Sequence, residues 1–203
     1  MLLYHDPRAP NPRRVRIFLA EKNVAYDTIE VLIAASAHQT AEFRRKNPLA
    51  LLPVLELDDG RVLRESIAIC RYIEELHPEP NLFGADAWER AQIEMWNRHA
   101  ELELLIPISQ VFRNTNKFWE GKIKQAPDFG SIMRELVAGR FDWLEHELAQ
   151  RPYLAGNRFS VADITALCAI DFGKVASIRI DAATHPALAA WHQRVSERPS
   201  TKA

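Results

Sequence analysis

The sequence predicts a two-domain protein, an α/β domain followed by an all-α helical domain. Three observations carry that expectation. Strand and helix signals alternate from Leu2 to His77, the pattern of helices packed on a central sheet. The stretch Pro78-Glu79-Pro80-Asn81-Leu82-Phe83-Gly84 then interrupts the periodicity with proline and glycine. Beyond it only helical spacing remains. The expected division is residues 1–78, a linker at 79–85, and residues 86–203.

The elements follow in order. Residues 2–5 read as a short strand. Residues 13–22 read as a helix carrying Val15, Ile17, Phe18 and Leu19, and residues 26–32 as a second strand. A helix over 40–46 precedes two short strands, 52–57 and 61–63, that form a hairpin around Asp58-Asp59-Gly60. Residues 66–77 close the unit as a helix. In the second domain, Ile93, Trp96, Ala100, Leu104 and Val111 mark a long helix over 86–118, bent near Pro107 because proline removes an intrahelical hydrogen bond. Helices over 129–150, 160–177 and 186–197 complete it.

Composition narrows the function. In 203 residues, 47% hydrophobic content is enough to bury a core. The 26 basic and 27 acidic side chains nearly cancel, which leaves no global field for nucleic acid or an anionic membrane. A small-molecule ligand is the expectation. His5 and Asp6 interrupt the start too early for a signal peptide, and the most apolar stretch, 161–172, contains Asp163 and Asp171, so a soluble cytoplasmic protein is expected. Cys70 and Cys168 stand far apart without a CxxC pair or a His/Cys ligand cluster; they read as buried thiols, and no metal is expected.

Two local patterns point to a site. In Leu51-Leu52-Pro53-Val54, a proline opens a strand that otherwise looks interior. It is either an ordinary strand-initiating proline or a cis-proline that leaves the preceding N–H and C=O free for a peptide-like ligand. Glu65-Ser66 stands directly before a helix. Ser66 can cap that helix, or the helix end can meet a carboxylate while Glu65 meets an ammonium, as an α-amino acid head group requires.

Asn47-Pro48-Leu49-Ala50-Leu51-Leu52-Pro53-Val54-Leu55, then Asp59-Gly60, then Glu65-Ser66-Ile67-Ala68-Ile69 with Tyr72-Ile73, resembles the glutathione-site signature of the glutathione S-transferase family. Gly156-Asn157-Arg158-Phe159-Ser160-Val161-Ala162-Asp163 resembles that family's capping box and hydrophobic staple, with Ser160 capping and Asp163 bonding back to the cap N–H. The resemblance implies a thioredoxin-like first domain and a homodimer. It implies that Glu65 and Ser66 hold the γ-glutamyl end of glutathione. Leu52, next to a cis-Pro53, would pair through its backbone with the cysteinyl part, and His38 or neighbouring Gln39 would meet the glycine carboxylate.

One position departs from the family pattern. Aligning residues 14–17 on the family's first helix puts Ala9 where many classes carry the serine or cysteine that acts on the glutathione sulfur. That role must lower a thiol pKa from about 8.5, because the thiolate is the nucleophile. Asn11 before Pro12 reads as N-cap and N1 of the helix, with an NH₂ donor available to the sulfur. Tyr4 matches in position the catalytic tyrosine of other classes, or simply packs in the strand. Arg13, Arg14 and Arg16 either add positive potential or alternate along an exposed helix face. Trp96 reads as core, while Asn97, Glu101 and Arg113 are candidates for an acceptor-substrate pocket. The activity implied is transfer of the glutathione thiolate to an electrophilic small molecule. The alternatives are a catalytically weak glutathione-binding or interaction module, and a glutathione-dependent peroxidase or dehalogenase.

Overall fold

The computed structural model describes all 203 residues. The chain forms two compact units, Met1–Leu82 together with Pro199–Ala203, and Phe83–Arg198. No helix is long and apolar enough to cross a membrane.

In the first unit the elements run β1 (Leu2–His5), α1 (Pro10–Glu21), β2 (Asp27–Glu30), a 3-10 turn at Ala37–Gln39, α2 (Ala41–Lys46), β3 (Val54–Glu56), β4 (Val62–Arg64) and α3 (Ser66–Leu76). The sheet order is β2-β1-β3-β4, with β1 parallel to β2 and antiparallel to β3, and β3 antiparallel to β4. Leu3 lies opposite Leu55, and both are fully buried. Helix α1 packs beside α3, and its run Val15–Leu19 is buried throughout.

Two expectations are corrected here. Helix α1 starts at Pro10 rather than residue 13, because prolines fit the first turn, where the N–H would lack an intrahelical acceptor anyway. The last five residues belong with the first unit, not the helical one. They form a 3-10 turn at Pro199–Lys202 whose Ser200 hydroxyl donates to Glu21 at 2.5 Å, while Arg16 Nε reaches the Ala203 carbonyl at 3.3 Å.

The second unit is helical throughout. Helix α4 (Ala87–His99), a π-helical segment at Ala100–Leu105 and α5 (Ile106–Thr115) follow one another without a break. The π segment lies immediately upstream of Pro107, the residue expected to bend the helix: the wider turn accommodates a residue that has no N–H to give. Helices α6 (Pro127–Leu148), α7 (Val161–Gly173) and α8 (Pro186–Ser196) complete the unit. Residues 161–170 of α7 are all buried, as an apolar-all-round helix must be.

Asp163 fastens the start of α7. Its carboxylate accepts from Ser160 N at 3.0 Å, the Ser160 hydroxyl at 3.1 Å, Leu154 N at 3.0 Å and Trp191 Nε1 at 2.9 Å. Burial pushes its pKa up, and the four donors oppose that shift. Asp163→Ala strands those donors in a dry interior. We expect a loss of about 3 kcal/mol or more in urea unfolding followed by tryptophan fluorescence, with turnover per folded molecule unchanged.

Candidate functional site

The β4–α3 junction has an unusual backbone. Glu65 occupies the N-cap position of α3 at φ 68° and ψ 117° and does not cap the helix with its side chain. A non-glycine residue in that region costs roughly 1–3 kcal/mol and marks sites where the conformation serves another purpose. Its carboxylate is exposed and makes no hydrogen bond within the chain. Ser66 is the first helical residue rather than the cap, and it is only 5% exposed. Its hydroxyl accepts from Arg14 Nη1 at 3.0 Å. Arg14 is 0% exposed, so the reading of this arginine as part of a solvated helix face is overturned. A helix N-terminus, a hydroxyl and a buried guanidinium attract an anion; the adjacent free carboxylate attracts a cation.

The Leu52–Pro53 bond is cis, and β3 begins one residue later. The Leu52 side chain packs against the cluster of Tyr4, Val31, Phe43 and Val54, but its N–H and C=O take no part in the sheet or in any other hydrogen bond of the chain. They are one donor and one acceptor presented together. Asn47 shapes the approach: its Nδ2 donates to the Leu51 carbonyl at 2.8 Å and its Oδ1 accepts from Leu49 N at 3.2 Å.

Ala37 packs on the same cluster as Leu52, which brings the 3-10 turn to this edge. His38 within it has a buried Nδ1 with no partner. Burial first, and Arg44 second, hold its imidazole below the usual histidine range, so at neutral pH it is an uncharged hydrogen-bonding group. Gln39 is exposed, and its side-chain oxygen accepts from Arg44 Nη2. Arg44 therefore supplies the positive charge of this corner, a role the sequence reading missed.

At the start of α1, Ala9 N donates to the Asp6 carbonyl at 3.1 Å, and the Ala9 carbonyl accepts from Arg13 N at 3.2 Å. Ala9 is thus the N-cap, and Asn11 sits inside the first turn instead of capping it. Pro10 and Pro12 have no N–H. Asn11 therefore carries the free amide of this helix end, together with a side-chain NH₂ that bonds to nothing in the chain. Asp6, buried beneath, accepts from Arg8 N at 2.9 Å and Ile33 N at 2.8 Å.

Comparison with known proteins decides the family. Residues 9–76 match the glutathione S-transferase N-terminal domain and residues 131–199 the C-terminal domain. Glutathione S-transferase 2 of Saccharomyces cerevisiae is 36% identical over 206 residues, covering 100% of this chain and 88% of that relative. The chain belongs to the glutathione S-transferase family. The crystal structure of Gtt2 from Saccharomyces cerevisiae matches with a TM-score of 0.93 at 36% identity, covering 100% of this chain and 99% of that one. A glutathione S-transferase domain-containing protein of Marinobacter aquaeolei also matches at 0.93, with 38% identity and coverage of 99% and 100%.

Against the transferase pattern, two groups of candidates move. The Tyr4 hydroxyl donates to Glu56 Oε2 at 2.7 Å, and Lys46 Nζ meets the same oxygen at 2.6 Å. Burial and then the Glu56 bond push the phenol pKa up, and the ring packs edge-on to Phe43. Tyr4 is therefore a packed strand residue whose hydroxyl is already engaged by Glu56. In the second unit, Trp96 is core and stacks on Trp143 at 5.1 Å. Asn97 is 0% exposed and accepts from the Thr165 hydroxyl at 2.7 Å, so it is a buried node between α4 and α7 rather than a pocket wall. Glu101 pairs with Arg98 at 2.6 Å on the π segment, and exposed Arg113 lies over the Trp119 ring at 4.7 Å.

Tyr4→Phe tests the first of these corrections. The loss of one hydroxyl bond should cost about 0.5–1.5 kcal/mol in denaturant unfolding and leave transferase turnover at the wild-type value.

Proposed function

We propose that this glutathione transferase holds glutathione along the edge of its first unit and releases the thiolate to an electrophilic small molecule. Glu65 takes the γ-glutamyl ammonium, and Ser66 with the first amides of α3 takes the α-carboxylate. The Leu52 N–H and C=O pair with the cysteinyl backbone. Neutral His38, with Arg44 fixed beside it by Gln39, meets the glycine carboxylate. The sulfur then lies toward α1, where the Asn11 amide, its NH₂ group and the positive helix end lower the thiol pKa. The thiol proton leaves to solvent, the sulfur forms its bond to the electrophilic carbon, and the displaced group departs with its electron pair. Bringing the two reactants together supplies the rest of the rate.

The observation that carries this reading is Glu65, an unpaired carboxylate kept in a costly backbone conformation beside a helix N-terminus. Cys70 and Cys168 form no disulfide, in keeping with a reducing, cytoplasmic setting. Ala9 favours a second reading, a module that binds glutathione without activating it. Ultraviolet thiolate absorbance during a pH titration at saturating glutathione separates the two. Wild type should show a thiol pKa below about 8.5, and a value at or above that figure selects the binding module. Asn11→Ala should raise the pKa. Asn11→Asp should raise it further, while an acid in the first turn of α1 stabilises the helix by about 0.3–1 kcal/mol, so a rise cannot be blamed on unfolding. Ala9→Ser should lower it. An Asn11→Asp protein that titrates like wild type removes Asn11 from the sulfur.

The transferase is further proposed to be a homodimer. Trp88, at 73% exposure, and the exposed Met95, Leu102 and Ile106 are spread along α4, the π segment and α5, and such large apolar side chains favour a partner surface. Two-fold dimers are the commonest oligomers. Sedimentation should give a dimer at micromolar concentration for wild type and a monomer for the Met95→Glu, Leu102→Glu double variant. A monomeric wild type overturns the assembly.

A further inference from the structure

Three arginines crowd α1, and they do different things. Arg16 donates through Nη2 to the Pro7 carbonyl at 3.0 Å and meets His5 Nδ1 through Nη1 at 3.0 Å, bracing the turn after β1. Arg13 reaches the Thr201 carbonyl at 3.5 Å, and so holds the C-terminal turn. Arg14 turns inward, is shut off from solvent, and donates to the hydroxyl of Ser66, 52 residues away.

We infer that Arg14 is a positioning residue that presets Ser66 as a hydrogen-bond donor and thereby makes this corner select a carboxylate. The inference rests on the placement of the γ-glutamyl head group proposed above. A serine hydroxyl has one proton to give and two lone pairs to fill. Arg14 fills one lone pair with a charged N–H, and the Ser66 proton has no acceptor within the chain. The proton is therefore left for a ligand. Polarisation by the guanidinium makes it a stronger donor, since chains of hydrogen bonds reinforce one another in a low-dielectric setting. An ammonium has no lone pair with which to accept the Ser66 proton. A carboxylate accepts from the hydroxyl and from the α3 amides together. A fully buried hydrogen bond is little screened by salt, so the bias persists at physiological ionic strength. Glu65, one residue away with its carboxylate free, sets the opposite preference, and the pair fixes which end of the zwitterion goes where.

The test compares two ligands on the full-length protein by calorimetry. One is glutathione; the other is γ-aminobutyryl-cysteinyl-glycine, the same peptide without the α-carboxylate. Arg14→Met keeps much of the side-chain bulk and removes the charge, and Arg14→Lys keeps the charge without the fork; each is checked for folding by circular dichroism. Arg14→Met should weaken glutathione about ten- to a hundredfold, the range of one charge-assisted hydrogen bond, and leave the decarboxylated peptide within about twofold. Arg14→Lys should show a smaller loss with the same selectivity, and it decides the matter alone if the Met variant does not fold. Ser66→Ala should reproduce the loss, and adding Arg14→Met to it should cost little more. Equal weakening of both ligands in the variants that fold, or full additivity with Ser66→Ala, overturns the inference. Wild type that binds glutathione with an ineffective Ser66→Ala overturns it too, and leaves the glutathione reading standing. Wild type that binds neither ligand overturns the glutathione reading itself.

Discussion

The geometry of the first unit hangs on the Asp6 carboxylate. Buried just after β1, it accepts from Arg8 N within its own turn and from Ile33 N after β2, and the Asp6 carbonyl takes Ala9 N. The side chain and carbonyl of Asp6 thus tie the start of α1 to the segment leading from β2 to the 3-10 turn that carries His38, beside the bond from Val31 N to the His5 carbonyl at 2.7 Å. Arg16 reinforces the same turn from beneath through His5, Pro7 and Ala203. Burial and the neighbouring guanidinium hold the His5 imidazole below its usual range, so this support stays neutral and does not repel Arg16 at physiological pH.

Around that anchor the unit leaves polar groups open to solvent or ligand. The Leu52 amide and carbonyl and the Asn11 amide, all on half-buried residues, and the Ser66 proton lack partners within the chain, and Glu65 is held at a positive φ. The second unit solves the opposite problem: Asp163 collects four donors so that a fully buried α7 can begin without an unpaired end. Asp163 thus gives the start of α7 four hydrogen bonds, while the first unit keeps several backbone and side-chain groups without a partner in the chain.

Much of this was legible in the sequence, for identifiable reasons. Alternating strand and helix signals and the Pro78–Gly84 interruption gave the two-part architecture because periodicity and punctuation are local properties. Pro53 before an apolar strand and Glu65-Ser66 before a helix were readable because each residue's backbone preference restricts what the chain can do there. The start of α1 was misread because Pro10 and Pro12 both satisfy the rule for the first turn, and only the turn closed by Asp6 and Ala9 chooses between them. Arg14 was left open between two readings for a deeper reason. Its neighbours in sequence are charged, so local pattern suggests a wet face; its partner is Ser66, and no window of sequence spans that distance. The tail at Pro199–Lys202 escaped for the same reason, since its partners lie on α1.

Under the proposed transferase reading, Ala9, which by itself favours a binding module, calls for another source of sulfur stabilisation. Glutathione brings two carboxylates and one ammonium, and its thiolate form adds a third negative charge, while the protein as a whole carries a formal charge of −1. The positive potential must therefore be local. It comes from two helix ends of adequate length, α1 and α3, from Arg14 under one of them, and from Arg44 at the far corner. At the α1 end, Pro10 and Pro12 have no N–H to offer, so Asn11 presents the free donors there, its backbone amide and its side-chain NH₂. A serine at residue 9 would contribute one neutral hydroxyl. In the proposed arrangement, two amide donors at the positive end of a twelve-residue helix take the place of that hydroxyl beside the sulfur.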